Sequence, residues 1–278
     1  MTSSLPSTCR ALTAGALVVL SALTACGSEA PKATGKSRPG KHEQAAAGDV
    51  VIGTAGAPYR VSNVNAAGAV SGTITLRNAP PLQATSTGQL GPVCGGLIPD
   101  LSVQQQGNGL AGAVVWLDGV ASGKAPGVER RLELESDHCK LVPRVQAGFV
   151  GSAVNIIGHD AFLQHLRFAA NGETLPRASI LLGGGEQVIP TELPFKTPGL
   201  VTVSDPGHSW TKAYLAVFDH PYYAVSAQNG VFTIDGVPPG TYTLKVWHER
   251  TGVTQQPVRV AAGEKANVNV ELRSTSVP

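Results

Sequence analysis

The sequence predicts an all-β protein made of two sandwiches, and three observations carry that prediction. Only 14% of the 278 residues are charged, while Gly supplies 33 and Pro 20. Apolar residues come in short alternating runs, each closed by turn-forming residues, as strands require. No heptad pattern and no second long apolar span appears, so neither a coiled coil nor a polytopic membrane protein fits. Net charge is +2 with Lys and Arg dispersed, which excludes a nucleic-acid footprint.

The chain begins with an export signal over Met1–Ala25. Arg10 supplies its positive charge, and Ala11–Ala22 supplies an apolar core, centred on Leu17–Leu20, too short to span a bilayer. Cys9 lies within it. Leu23-Thr24-Ala25-Cys26 then resembles the bacterial lipobox, which implies that Cys26 becomes the lipidated first residue of the mature chain. An ordinary cleaved signal is the alternative. Acyl chains bury at about 0.8 kcal/mol per carbon, enough together to anchor a protein without a transmembrane helix. The resemblance places the protein in the cell envelope, and Gly27 rather than Asp after the cysteine favours an outer membrane. Residues 26–49 are rich in Ala, Gly, Ser, Lys and Pro and read as a disordered tether. About 20 such residues reach roughly 25 Å.

From Val50 the pattern is β. Val70, Ile74 and Leu76 alternate on one face of a strand that Pro80-Pro81 ends. Ala113–Leu117 is a strand closed by Asp118-Gly119, and Leu132–Glu135, Leu141–Val145, Val154–Ile157, Leu163–Phe168 and Ile180–Leu182 follow. Leu200–Asp205 enters the Pro206-Gly207 turn, and Ala213, Leu215 and Val217 alternate on the far side. Beyond Asp219 the texture changes. Gln228-Asn229-Gly230 is a hairpin turn, and Phe232 and Ile234 share a face. Tyr242, Leu244 and Val246 lie opposite Thr243, Lys245 and Trp247, before closing strands at Val258–Val260 and Val268–Leu272. Cys94 and Cys139, the two cysteines of the exported body, are most simply a disulfide. It would close a loop of about 45 residues and contribute roughly 3–4 kcal/mol. A Cys-Cys metal pair is the alternative, with no second pair nearby to complete it.

Two resemblances give the sandwiches a family. The histidine loop between strands, Asp205-Pro206-Gly207-His208-Ser209-Trp210-Thr211, resembles the copper-ligand loop of amicyanin-like and plastocyanin-like cupredoxins, Cys-x-x-His-x-x-Met. His208 matches the histidine, whereas Asp205 stands for the cysteine and Thr211 for the methionine. By the same resemblance His165 is the upstream imidazole. The run NGVFTIDGVPPGTYTLKVWHE resembles the carboxypeptidase regulatory-like domain, a small transthyretin-like sandwich that is usually accessory. The pair also resembles a group of bacterial exported proteins in which one domain runs into the other through a segment like Phe218–Tyr222. The expected organisation is therefore signal 1–25, tether 26–49, a Greek-key cupredoxin-like sandwich over 50–218, a regulatory-like sandwich over 219–273 and a tail over 274–278.

Without a thiolate there is no sulfur-to-copper charge transfer, so a blue site is not expected. His165, Asp205 and His208, with His159 nearby, would instead make a nitrogen–oxygen set suited to Cu(II) or Zn(II). The competing expectation is that these are ordinary loop and core residues and that no cofactor is bound. His220 and His248 read as structural, and Trp247 with Tyr222 and Tyr223 as either a sugar-stacking platform or an aromatic interface. Enzyme motifs are missing: Gly207–Thr211 is no nucleophile elbow, Gly183–Glu186 is no phosphate loop, and no His-Glu-x-x-His occurs. The leading expectation is a non-catalytic binding or structural module with an unidentified protein or polysaccharide partner. A non-blue copper(II) protein and a carbohydrate-binding surface protein are the alternatives.

Overall fold

The computed structural model describes residues 52, 58–79, 81–128, 131–170, 173–190 and 195–274. The signal, Cys26, the tether and most of the tail lie outside the described residues. Among those described, no helix is long and apolar enough to cross a membrane.

Strands fill the chain. The first part holds β1 (Arg60–Val61), β2 (Gly68–Arg77), β3 (Thr85–Ser86), β4 (Leu97–Ile98), β5 (Gln105–Gln106), β6 (Gly109–Leu110), β7 (Val114–Asp118) and β8 (Ser122–Gly123). A turn of 3-10 helix and one of α-helix, Gly88–Cys94, sit between β3 and β4. The middle part holds β9 (Arg131–Asp137), β10 (Lys140–Val142), β11 (Val145–Phe149), β12 (Ala153–Gly158), β13 (Gln164–Ala170), β14 (Glu173–Leu182), β15 (Gln187–Pro190), β16 (Gly199–Asp205) and β17 (His208–Phe218). The last part holds β18 (Tyr223–Val225), β19 (Val231–Val237), β20 (Gly240–His248), β21 (Gly252–Val260), β22 (Lys265–Asn267) and β23 (Val270–Arg273).

These strands make two sandwiches, but the chain does not divide between them at 218/219. The middle part is one sandwich, with sheet β10-β9-β12-β15 packed on sheet β11-β17-β16-β13-β14. The other sandwich is assembled from both ends of the chain. One of its sheets runs β18-β7-β20-β21, and the other runs β19-β2-β6-β5 with β22 and β23 also on β2. Strand β2 pairs along its length with β19, β22 and β23, all of which follow it by more than 150 residues in the sequence. Gly72 lets them come this close, because a Cβ there would lie 1.9 Å from the Val268 carbonyl oxygen. The expected boundary thus separates strands that share one hydrogen-bonded sheet. The middle sandwich is an insertion between β7 and β18, which are themselves neighbours, with Tyr223 opposite Trp116 and Val225 opposite Val114. Insertion needs entry and exit to be close, and this pairing places them side by side.

Three apolar layers follow from strand alternation. In the two-ended sandwich Val70, Ile74 and Leu76 pack with Val115, Leu117, Leu244, Val246, Phe232 and Leu272. In the middle sandwich Leu134, Ile156, Leu166, Val201, Val203, Ala213, Leu215 and Val217 form the core. The third layer lies between the sandwiches, where Val114, Trp116 and Trp247 meet Leu200, Ala216 and Phe218, with Ile52 also packed in. Strands β7, β16, β17 and β20 therefore bury both faces, which explains why Ala113–Leu117 and Ala213–Phe218 read as nearly unbroken apolar runs. Ring contacts tighten the layer: Phe218 stacks on Tyr223 at 4.4 Å, and Tyr214 meets Trp247 edge-on at 5.1 Å.

Residues 219–278 expressed alone are expected to show no cooperative thermal transition and a collapsed amide spectrum, because half of their core comes from β2–β7. Co-expression with residues 58–128 should restore both, and a well-folded isolated fragment would contradict the pairing described here.

Candidate functional site

The β16–β17 hairpin carries the residues that the sequence marks for chemistry. Its tip is shaped by one carboxylate. Asp205 is buried, and the Gly207 N–H donates to its Oδ1 at 2.8 Å, an Asx turn that closes the Pro206-Gly207 bend. Its Oδ2 accepts from the His165 backbone N–H at 3.1 Å and lies 2.7 Å from His208 Nδ1. One oxygen is thus committed to the turn and the other to holding the hairpin to β13.

The three expected ligands do not converge. His165 reaches Asp205 with its backbone, while its ring turns to Ser179 and bonds through Nε2 to that hydroxyl. His208 packs its ring against Phe162, edge-on at 5.0 Å, and Trp210 at 5.4 Å. His159 faces Glu135 at 3.6 Å and Glu186 at 3.8 Å. Thr211, where a methionine ligand would stand, is buried with its hydroxyl unpaired among the described residues. Among the described residues no three His, Cys, Asp or Glu side chains are gathered as a metal ion requires. The side chains present do not fit a type 1 copper centre, and Asp205 joins the His165 backbone and the His208 ring in a hydrogen-bond node.

A small lobe covers this end of the sandwich. Cys94 and Cys139 are joined, with Cα atoms 5.5 Å apart. Cys94 belongs to the short helical turns between β3 and β4, and Cys139 to the β9–β10 hairpin, so the bridge ties chain from before the insertion to the insertion itself. Ile98, Cys139 and Phe162 form a cluster that Leu90, Cys94 and Trp210 extend. His138 and Cys139 both adopt positive φ, 48° and 64°, a costly conformation for side-chain-bearing residues. Buried Asp160 compensates by accepting the Cys139 N–H at 2.8 Å and the Ser136 hydroxyl at 2.6 Å. Nothing in the local sequence marks Asp160 or Ser136, because they meet across 24 residues of chain.

The second polar constellation lies at the joint between the sandwiches. Arg144 forks onto Glu249, with Nε–Oε1 at 2.5 Å and Nη2–Oε2 at 2.7 Å, both side chains largely buried. Burial alone would lower the Arg144 pKa, and the Glu249 carboxylate more than offsets it, holding the guanidinium above its ordinary value. Removing one partner of such a pair would leave an uncompensated charge at a cost of about 3–5 kcal/mol. His248 sits beside it, 2% exposed. Its pKa is lowered to about 4, first by burial and then by Arg144 and Arg250. His220 is buried in the crossover after β17, where its Nδ1 accepts the Tyr222 N–H at 3.2 Å, and burial lowers its pKa too. Both histidines are structural. Trp247 is 2% exposed and Tyr222 0%, so the aromatic platform expected for sugar stacking is inside the protein.

Comparison with known proteins covers parts of the chain. A family model for the carboxypeptidase regulatory-like domain matches residues 199–273. That stretch begins in the last hairpin of the inserted sandwich and ends with β23, so β2–β7, which complete the two-ended sandwich, lie outside it. No curated protein matches. Solved structures similar to the chain include an oxidised amicyanin mutant at 20% identity, covering 34% of this chain and 87% of that one, with a TM-score of 0.27. A purple cupredoxin from Nitrosopumilus maritimus is 16% identical over 31% of this chain and 98% of its own, TM-score 0.27. Amicyanin from Paracoccus versutus is 10% identical over 34% and 84%, TM-score 0.26. Overlaps of this size leave the all-β sandwich architecture to rest on the strand pairing itself.

An acid limit to stability follows from the buried imidazoles. The unfolded His248 would titrate near 6.5, so between that pH and about 4 the unfolded chain binds more protons than the folded one. Stability is expected to fall as pH drops through this window, by about 3 kcal/mol for a shift of this size. Urea denaturation at pH 7.5 and pH 4.5 should show it, and His248→Asn should flatten the dependence. An unchanged slope in that variant would remove His248 as the cause.

Proposed function

We propose that this protein is a non-catalytic binding and structural module, displayed from the cell envelope by a lipid on Cys26, whose middle sandwich keeps the cupredoxin-like hairpin without its copper chemistry. The observation that carries this reading is Asp205. It occupies the position of the thiolate ligand, and both of its oxygens are spent on the Gly207 and His165 amides and the His208 ring. A carboxylate so saturated gains little by turning to a metal, since the backbone donors it abandons would be left buried and unpaired. The disulfide-tethered lobe over the same tip, and the two ring contacts that fix His208, support a rigid scaffold.

The envelope address rests on Leu23-Thr24-Ala25-Cys26 and the basic, apolar stretch before it. The accessory character of regulatory-like domains, and the match at 199–273, support a display or docking role over a catalytic one.

Cu(II) titration of residues 50–278, followed by electron paramagnetic resonance, is expected to give only weak, unsaturated signals that His208→Ala leaves unchanged. A saturable spectrum lost in that variant would restore the non-blue copper reading, and an intense blue colour would overturn the scaffold reading outright. Metabolic labelling with palmitate should mark the wild-type chain and not Cys26→Ala. Equal labelling of both would remove the proposed anchor.

A further inference from the structure

A cleft of about 480 Å³ opens where β9 and β11 face each other, away from the hairpin tip. Its size falls within the range of ordinary ligand sites. Its walls are two strand edges. Strand β11 is the edge of its sheet and, among the described residues, pairs only with β17, in parallel. The Tyr214 N–H donates to the Arg144 carbonyl and the Val150 N–H to the Phe218 carbonyl, each at 2.8 Å. In a parallel pair this makes the even-numbered residues of β11 point their backbone groups at β17. Val145 and Ala147 therefore direct theirs outward. On the other wall β10 pairs with β9 only at Glu135–Asp137, so among the described residues Arg131–Leu134 have no strand beside them on that side. The Glu133 carbonyl points across the cleft, where the Gln146 side chain donates to it at 2.7 Å. Leu132, Phe149 and Tyr223 supply the apolar lining.

Unpaired strand edges are templates for another strand. Here the edge is recessed, short and guarded by Gln146, so it suits one extended segment rather than open-ended aggregation. The charges specify that segment. Glu133 is exposed and Glu135 half-exposed, two residues apart on β9 and thus about 7 Å from each other along the cleft. Alternate side chains of a bound strand have the same spacing. Of the other charges, Arg131 is occupied by Asn155 Oδ1 at 2.8 Å, and His159 lies 3.6 Å from Glu135.

We propose that this cleft binds an extended peptide segment of a partner protein by strand addition to β11, with Lys or Arg at alternate positions facing Glu133 and Glu135. Main-chain bonds from Val145 and Ala147 supply affinity, and the carboxylates supply choice. This gives the binding role proposed above a place, and it can fail separately, because copper titration reports on the hairpin tip and peptide titration on this cleft.

The test is fluorescence anisotropy of the exported chain, residues 27–278, with a labelled heptapeptide of alternating Lys and Val. Saturable binding is expected, with at least tenfold slower hydrogen exchange at the Val145 and Ala147 amides. The Glu133→Gln, Glu135→Gln double variant, altered only at exposed or half-exposed positions, should bind about tenfold more weakly. A peptide of alternating Glu and Val, or one N-methylated along its backbone, should not bind. Absence of saturable binding, equal binding of the Glu–Val peptide, or binding without protection at Val145 and Ala147 would each overturn the proposal. So would binding seen only after residues 27–49 are removed, which would make the chain's own Lys32–Lys41 stretch the occupant.

Discussion

Trp116 and Trp247 meet Phe218 and Leu200 in an apolar layer between the two sandwiches, and the rest of the arrangement depends on that contact. Interfaces between domains are usually smaller and more polar than cores. Here four strands contribute apolar side chains to a core on one face and to the joint on the other. Each large side chain so buried stabilises by roughly 1.5–3 kcal/mol relative to exposure. The cost is visible as well: the indole N–H groups of Trp116 and Trp247 are buried without an acceptor among the described residues. The layer keeps Arg144 and Glu249 together and carries Tyr223 into the wall of the β9–β11 cleft. The two sandwiches behave as one four-layered body rather than as beads on a string.

Much of the strand content was legible because alternation is a local property. Val70–Leu76, Val114–Leu117, Ala213–Val217 and Leu244–Val246 each lie in a strand with the expected residues facing inward. The disulfide was legible because Cys94 and Cys139 are the two cysteines of the β-patterned part of the sequence. Partnership was not. Val70 carries no mark that its neighbours are Ile234 and Ala266, and the change of texture at Asp219 reflects a switch of sandwich, not the start of a new one. Arg144 and Glu249 lie 105 residues apart, beyond any spacing rule. The arrangement of the candidate site was hidden for a related reason. The spacing of Asp205, His165 and His208 says which atoms can be near one another, but His165 approaches with its amide and not its ring.

Asp205 shows how one side chain changes the meaning of a loop. A thiolate at that position would be a soft, exposed-pair ligand. A carboxylate is a hard acceptor with two oxygens, and the nearest donors are backbone N–H groups and an imidazole that already surround it. The hairpin tip is held by the aspartate itself, whose Oδ1 accepts the Gly207 N–H.

The split sandwich also constrains the order in which the chain can mature. The Thr73 amide bonds to Asn269, 196 residues further on, and Val270–Arg273 complete the sheet around Ile74–Arg77. A polypeptide emerging amino end first must hold β2–β7 without their partners until the final strands arrive, while β9–β17 already have all of theirs. Contacts this distant in sequence close slowly. Until then the ends would expose apolar edges that the interior segment does not, so the demand for chaperoning falls on the residues made first and satisfied last.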